Sequence, residues 1–231
     1  MKYRVKFSKT GPIKYIGHLD VMRYFQKAIR RADIPIAYTA GFSPHQILSF
    51  AFPLSVGYTS EGEYFDMELT EEVDEDILVE KLNSVSAPGF NIIKIRKLDD
   101  KAANCMASVY AAIYRITLKE DLILPDDCMT RFNDYFGQET IPVNKPNKKG
   151  GGFIPVNLKD YIFDYSMDGR DCFFTVCAGS QDNIKASFLM DCFLEHIGNK
   201  EDRIRYNIHR IEIFGKKTDH SGSLMVPLID M

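Results

Sequence analysis

The 231 residues suffice for one large domain or two of roughly a hundred residues each, and a 45% hydrophobic share with mean hydropathy −0.20 is that of a folded globular chain. The net charge of −3 speaks against a general polyanion binder. Five cysteines, Cys105, Cys128, Cys172, Cys177 and Cys192, with no CxxC pair, form neither a disulfide framework nor an iron–sulfur or zinc signature, and read as reduced thiols.

Tyr3, Val5 and Phe7 alternate with Lys2, Arg4 and Lys6, the period of a half-buried strand with its charges on the outer face. The start lacks the apolar run of a signal peptide, and no stretch has membrane-spanning length, so a cytoplasmic location is expected. Lys14 to Ile16 extend the strand, and Gly17 allows a reversal. Leu19, Met22, Phe25, Ile29 and Ala32 then recur at steps of three and four, predicting a helix core face. Arg23, Lys27, Arg30 and Arg31 fall on its other side at i, i+4, i+7 and i+8. Asp33 and Pro35 stop this helix.

Strands are predicted at Ile36 to Thr39, Ile47 to Phe52 and Glu63 to Leu69, a helix at Asp74 to Leu82, and a strand at Phe90 to Arg96. That order, β-α-β-β-α-β, is the ferredoxin-like one. The second half repeats the rhythm: strand Val109 to Leu118, helix Asp126 to Phe136, strand Asp171 to Cys177, helix Asn183 to Ile197, strand Ile204 to Phe214. A long connection from Gly137 to Gly169 lies within it. The expected fold is α+β, two tandem ferredoxin-like domains with antiparallel sheets at 1–100 and 106–231, divided near Asp99 to Ala107.

Charge is segregated along the chain. Residues 1–50 carry nine basic side chains against two acids, +7, and residues 51–100 carry four against twelve, −8. Local potentials of this kind are concealed by the total. The basic helix supplies several cations on one face, as a phosphate backbone requires. His18 stands at its start and Asp20 suits the helix dipole, so the two read as a capping and packing pair, or, given free amides and a near-neutral imidazole, as a place for phosphate binding or proton transfer.

Between two predicted strands runs AGFSPHQILSF, Ala40 to Phe50. Pro44 restricts Ser43 to extended geometry and Gly41 tolerates conformations closed to other residues, so the loop is shaped. Phe42 and His45 add ring chemistry that could stack on a base, although Phe42 would serve equally as a plug anchoring the loop. KPNKKGGGF, Lys145 to Phe153, sets Lys148 and Lys149 before Gly150, Gly151 and Gly152; it offers cations and bare amides to a phosphate, or is a surface linker. There is no G-x-S-x-G, H-E-x-x-H, Walker or dinucleotide pattern, and no cofactor is expected. His18, Asp20 and His45 have ligand-type donors, but no spacing joins them into a metal site.

The run Gly17-His18-Leu19-Asp20, Met22-Arg23, Ala28-Ile29-Arg30-Arg31-Ala32, Gly41-Phe42-Ser43-Pro44-His45, Ser49-Phe50, Pro53-Leu54 and Glu61 to Leu69 resembles the radical-SAM-linked protein family, densely over the first seventy residues or so. The resemblance implies a partner, a radical SAM protein, rather than a reaction. Members that lie near genes for ribosomal proteins and a ribonuclease tilt the expectation toward RNA. Gln46 departs from the family pattern, which often has proline followed by lysine. A looser similarity is to the tandem ferredoxin-like RNA-binding proteins of CRISPR systems, including repeat-cleaving endonucleases; it is one of fold.

Three readings follow. In the first, an accessory protein holds tRNA or rRNA with Arg23, Lys27, Arg30, Arg31 and the Lys148 to Gly152 loop, while Gly41, Phe42, Ser43 and His45 meet the nucleotide. In the second, a metal-independent ribonuclease uses His18 or His45. In the third, an adaptor docks on the radical SAM protein through its acidic Glu61 to Glu80 region, without nucleic acid.

Overall fold

The computed structural model describes all residues except 100, 148–149, 180–181, 200–204 and 220–221. The described residues form a mixed fold with five α-helices and mostly antiparallel strand pairing. No helix among the described residues is long and apolar enough to cross a membrane. The chain groups into two compact units, residues 1–111 with 209–231, and residues 112–208. Most of the strand predicted at Ile204 to Phe214 lies in the residues from 209 on, which group with the first unit.

In the first unit β1 (Lys2–Lys9) is followed by a 3-10 turn at Gly11–Tyr15, α1 (His18–Arg31), β2 (Leu48–Phe50), β3 (Thr59–Glu68), α2 (Glu75–Ser84), β4 (Phe90–Leu98) and the short α3 (Cys105–Ser108). The strands lie in the order β4-β1-β3, with β2 on β3, all antiparallel. The returning chain adds His209 and Arg210 alongside Thr59 and Ser60 in parallel. Gly62 permits that approach: a Cβ there would stand 2.6 Å from the Glu212 Cα and the Ile211 oxygen. Phe7, Phe25, Phe50, Phe65 and Phe90 fill the core, with Phe7 and Phe25 centroids 4.6 Å apart. Asp74 caps α2, its Oδ1 accepting from the amides of Asp76 and Ile77.

Four expectations change here. Lys14 to Ile16 do not extend β1; Pro12 sits in the first turn of a 3-10 segment. Ile36 to Thr39 form no strand, because Pro35 and the Gly41–Pro44 loop leave only isolated bridges, Ile36 to Leu69 and Tyr38 to Gln46. The buried stripe of α1 is Val21, Phe25, Ala28 and Ile29, and Leu19 is exposed. Finally, β1 is covered on both faces: Arg4 is 1% exposed, bonded to Asp66 by two nitrogens and to the carbonyls of Leu228 and Ala103.

The second unit holds β5 (Ala111–Leu118) from residue 112 on, α4 (Cys128–Gly137), the hairpin β6 (Pro142–Pro146) and β7 (Phe153–Asn157), β8 (Ile162–Asp168), β9 (Asp171–Cys177) and α5 (Ala186–His196). β5, β9 and β8 lie side by side in that order. Phe132, Phe136, Phe174 and Phe193 form the core. The long connection read from Gly137 to Gly169 therefore contains three strands. Prolines interrupt the short runs of β6 and β7, and none of the three strands buries a residue fully, so the apolar period is weak. β10 (Tyr206–Asp219) runs past the predicted end at Phe214 and pairs with β11 (Gly222–Pro227), which the sequence reading lacked.

Candidate nucleic-acid interface

Helix α1 buries one side against the sheet and leaves Arg23, Lys27, Arg30 and Arg31 exposed on the other. Arg23 pairs with Asp20 at 3.2 Å, with both side chains more than 60% exposed, a weak clamp that a phosphate can displace. Arg31 donates to the Val85 carbonyl and lies over the Tyr24 ring. Lys27 and Arg30 make no ion pair among the described residues.

Of the nine cations in the first fifty residues, Arg4, Lys6 and Lys9 are turned to internal use. Lys6 pairs with Glu212, and Lys9, 2% exposed, donates to the carbonyls of Ile16 and Lys14. The +7 segment thus contributes its helix, not its strand, to the surface. The acidic stretch is likewise divided. Glu63 and Asp66 are buried against Arg210 and Arg4, while Glu71, Glu72, Asp74, Asp76 and Glu80 remain exposed.

The Gly41–His45 loop is closed at its base by His45, whose amide donates to the Thr39 hydroxyl at 3.1 Å; its Nδ1 lies 3.2 Å from the same oxygen. Gly41 adopts φ +111°, open to glycine and strained for other residues. Ser43 and Pro44 are exposed, and the Phe42 ring is wholly exposed, so it is no plug. The loop is tied to α1 by Gln46, whose buried Nε2 donates to the Gln26 carbonyl at 3.2 Å. Arg23 and Arg30, at i−3 and i+4 from Gln26, flank that point on the helix surface. The residue that follows the aromatic loop is thus bonded to the helix that carries the basic face.

His18 lies elsewhere. It opens α1, eight residues before Gln26, about 12 Å along the axis, and its ring meets Phe50 edge-on at 5.5 Å. From Phe50 back to His45 is about 16 Å of extended chain. The two histidines have no hydrogen-bond or ring partner in common among the described residues. Beside His18, a cavity of about 10 Å³ is lined by Lys9, Phe50, Phe52 and Glu63, room for a water and not for a phosphodiester. Burial, reinforced by the Lys9 charge, holds the His18 imidazole below its ordinary value. Burial lowers Lys9 as well, against the pull of Glu63. Burial pushes Glu63 upward, opposed by Arg210, whose Nε lies 3.1 Å away. Arg210 also donates to the Phe52 carbonyl and lies over the Phe52 ring.

This buried group was absent from the sequence reading, yet parity signals it. Lys9 continues the inward series Tyr3, Val5, Phe7, and Glu63 continues Phe65, Met67, Leu69. Gly150, Gly151 and Gly152 form the tip of the β6–β7 hairpin in the second unit, with φ +69° at Gly151 and +73° at Gly152. Lys148 and Lys149 lie outside the described residues. Among the described residues no cluster of three His, Cys, Asp or Glu side chains could hold a metal ion.

Residues 2–186 match the model of a family described as an uncharacterized protein conserved in bacteria, DUF2344. No curated protein matches the chain. Among solved structures, a chain from the crystal structure of a Cbf5-Nop10-Gar1 complex is similar over 91% of this chain and 48% of its own length, at 9% identity and a TM-score of 0.46. This chain thus spans about half of that one.

Proposed function

The chain belongs to the DUF2344 family, uncharacterized proteins conserved in bacteria, and we propose that it binds RNA through the exposed face of α1 and the adjoining Gly41–His45 loop. The observation that supports this reading is the bond from Gln46 to the Gln26 carbonyl, which ties the chain just after the exposed Phe42 loop to the helix that carries Arg23, Lys27 and Arg30. Arg23, Lys27, Arg30 and Arg31 would contact phosphates, and Phe42 would stack on an unpaired base, a combination suited to single-stranded segments. An acidic chain with one basic face binds such a strand locally while the rest of its surface repels polyanions.

The finer architecture belongs to the same proposal: two ferredoxin-like domains, at 1–100 and 106–231, in a cytoplasmic protein. The Lys148–Gly152 segment would supply a further phosphate contact. The radical SAM protein implied by the sequence resemblance would be the enzyme to which the RNA is presented. His18 would serve as a packed, uncharged helix-start residue rather than as a catalyst, given the size of the cavity beside it.

The test is fluorescence anisotropy with a labelled single-stranded RNA and the Arg23→Glu, Lys27→Glu double variant. Saturable binding by the parent chain that weakens more than tenfold in the variant is expected. Equal affinity of the two proteins would remove α1 from the interface.

A further inference from the structure

The second unit contains an open cavity of about 490 Å³, within the range of small-ligand sites. It lies between one stripe of α5, the end of α4 and the start of β6. Phe188, Cys192 and His196, spaced i, i+4 and i+8, face it from α5. Tyr135 and Ile141, both buried, form its floor.

The chemistry of the lining narrows the occupant. Phe188, Tyr135 and His196 supply ring surfaces, the last two tilted at 36° with centroids 4.6 Å apart. Tyr135 and His196 thus pack on each other as one aromatic wall, against which a flat ring can lie. At the rim are two amides. Gln138 gives its Nε2 to the Tyr135 carbonyl, leaving its side-chain oxygen as an acceptor, and Asn144 makes no side-chain hydrogen bond among the described residues. An amide pair can read the mixed donors and acceptors on the edge of a heterocycle. Among the described residues no lysine or arginine lines the cavity, and Glu195 stands at its edge. A phosphate or carboxylate would meet repulsion there. Burial, with Asp191 and Glu195 adding to it, pushes the Cys192 thiol up to about 11, so it lines the wall as a neutral group and not as a nucleophile or metal ligand.

The geometry points to a binding site in the second unit for a neutral planar heterocycle, of the nucleobase or unphosphorylated nucleoside class. The site is independent of the α1 surface, and losing either would leave the other standing.

The chain has no tryptophan, so Phe188→Trp introduces a single emitter into the cavity wall. Adenosine, guanosine, cytidine and uridine are titrated against it, and saturation-transfer NMR with the unaltered chain guards against an artefact of the substitution. The site predicts saturable quenching by at least one nucleoside, with weaker binding of the matching 5′-monophosphate. It predicts that Glu195→Gln narrows that difference. Removing both rim amides by Gln138→Ala and Asn144→Ala is expected to weaken binding at least about fivefold. No saturation by any nucleoside in either assay, or affinity indifferent to the amide pair, would overturn the assignment. Preferential binding of choline over every nucleoside would overturn it too, by making the site one for cations.

Discussion

The side-chain amide of Gln46 donates to the main-chain carbonyl of Gln26, and its other atom, Oε1, has no hydrogen-bond partner among the described residues although the side chain is buried. This bond, across twenty residues of sequence, ties the end of the Gly41–His45 loop to the middle of α1, while the ring of His18, at the start of the helix, packs on Phe50. Gln46→Ala removes the bond, the buried carboxamide and one methylene. A loss of about 1–2 kcal/mol in denaturant unfolding is expected, together with weaker RNA binding. Unchanged affinity in a folded Gln46→Ala protein would separate the loop's position from binding.

Phe42 gives the complementary result. Because its ring is wholly exposed, Phe42→Ala should leave the melting temperature where it is. A stacking ring contributes about 1–3 kcal/mol per base, so affinity for single-stranded RNA should fall about five- to a hundredfold. A fall in stability with intact affinity would mean that the ring packs and does not bind.

The His18 imidazole is held low by burial and by Lys9. At pH values below 6.5 but above the folded value, the unfolded chain carries a proton at this site that the folded chain lacks. Stability from this group is therefore complete above pH 6.5 and is lost as pH falls through the folded value. His18→Gln should flatten that part of the stability profile, and proton NMR should find the imidazole titrating below 6.5. Titration at or above that value would contradict the buried setting.

Two substitutions probe β3 and the chain that returns beside it. Glu63→Leu leaves the Arg210 charge without its carboxylate, and breaking a buried pair in this way costs about 3–5 kcal/mol. Gly62→Ala places a methyl within 2.6 Å of backbone atoms at positions 211 and 212, where no flexible side chain can yield. Both proteins should unfold at markedly lower denaturant, and a near-normal midpoint for Gly62→Ala would mean that the two strands separate at little cost.

How much of this was legible follows from where signals are local. β1 alternates cleanly, the spacing from Phe25 to Ile29 fixes the core side of α1, and the mixed α/β class follows from the order of elements. Leu19 misled because an apolar residue in a helix's first turn is not committed to the core, whereas Val21 occupies the buried position. The strands of 142–168 are exposed or half-buried, so their sequences carry little alternation. Burial of Arg4 was hidden because it depends on Asp66, Ala103 and Leu228, residues 62 to 224 positions away. Placement of the aromatic loop depended on one glutamine bonding to a backbone atom, which no periodicity encodes.

The most direct test of the central claim is the salt dependence of RNA affinity. Four helix cations acting on a single strand predict a slope of log K against log salt of about −3, falling in magnitude by about 0.7 when either Lys27 or Arg30 becomes alanine. A slope near zero, or one that neither substitution alters, would contradict the assignment of this face to RNA.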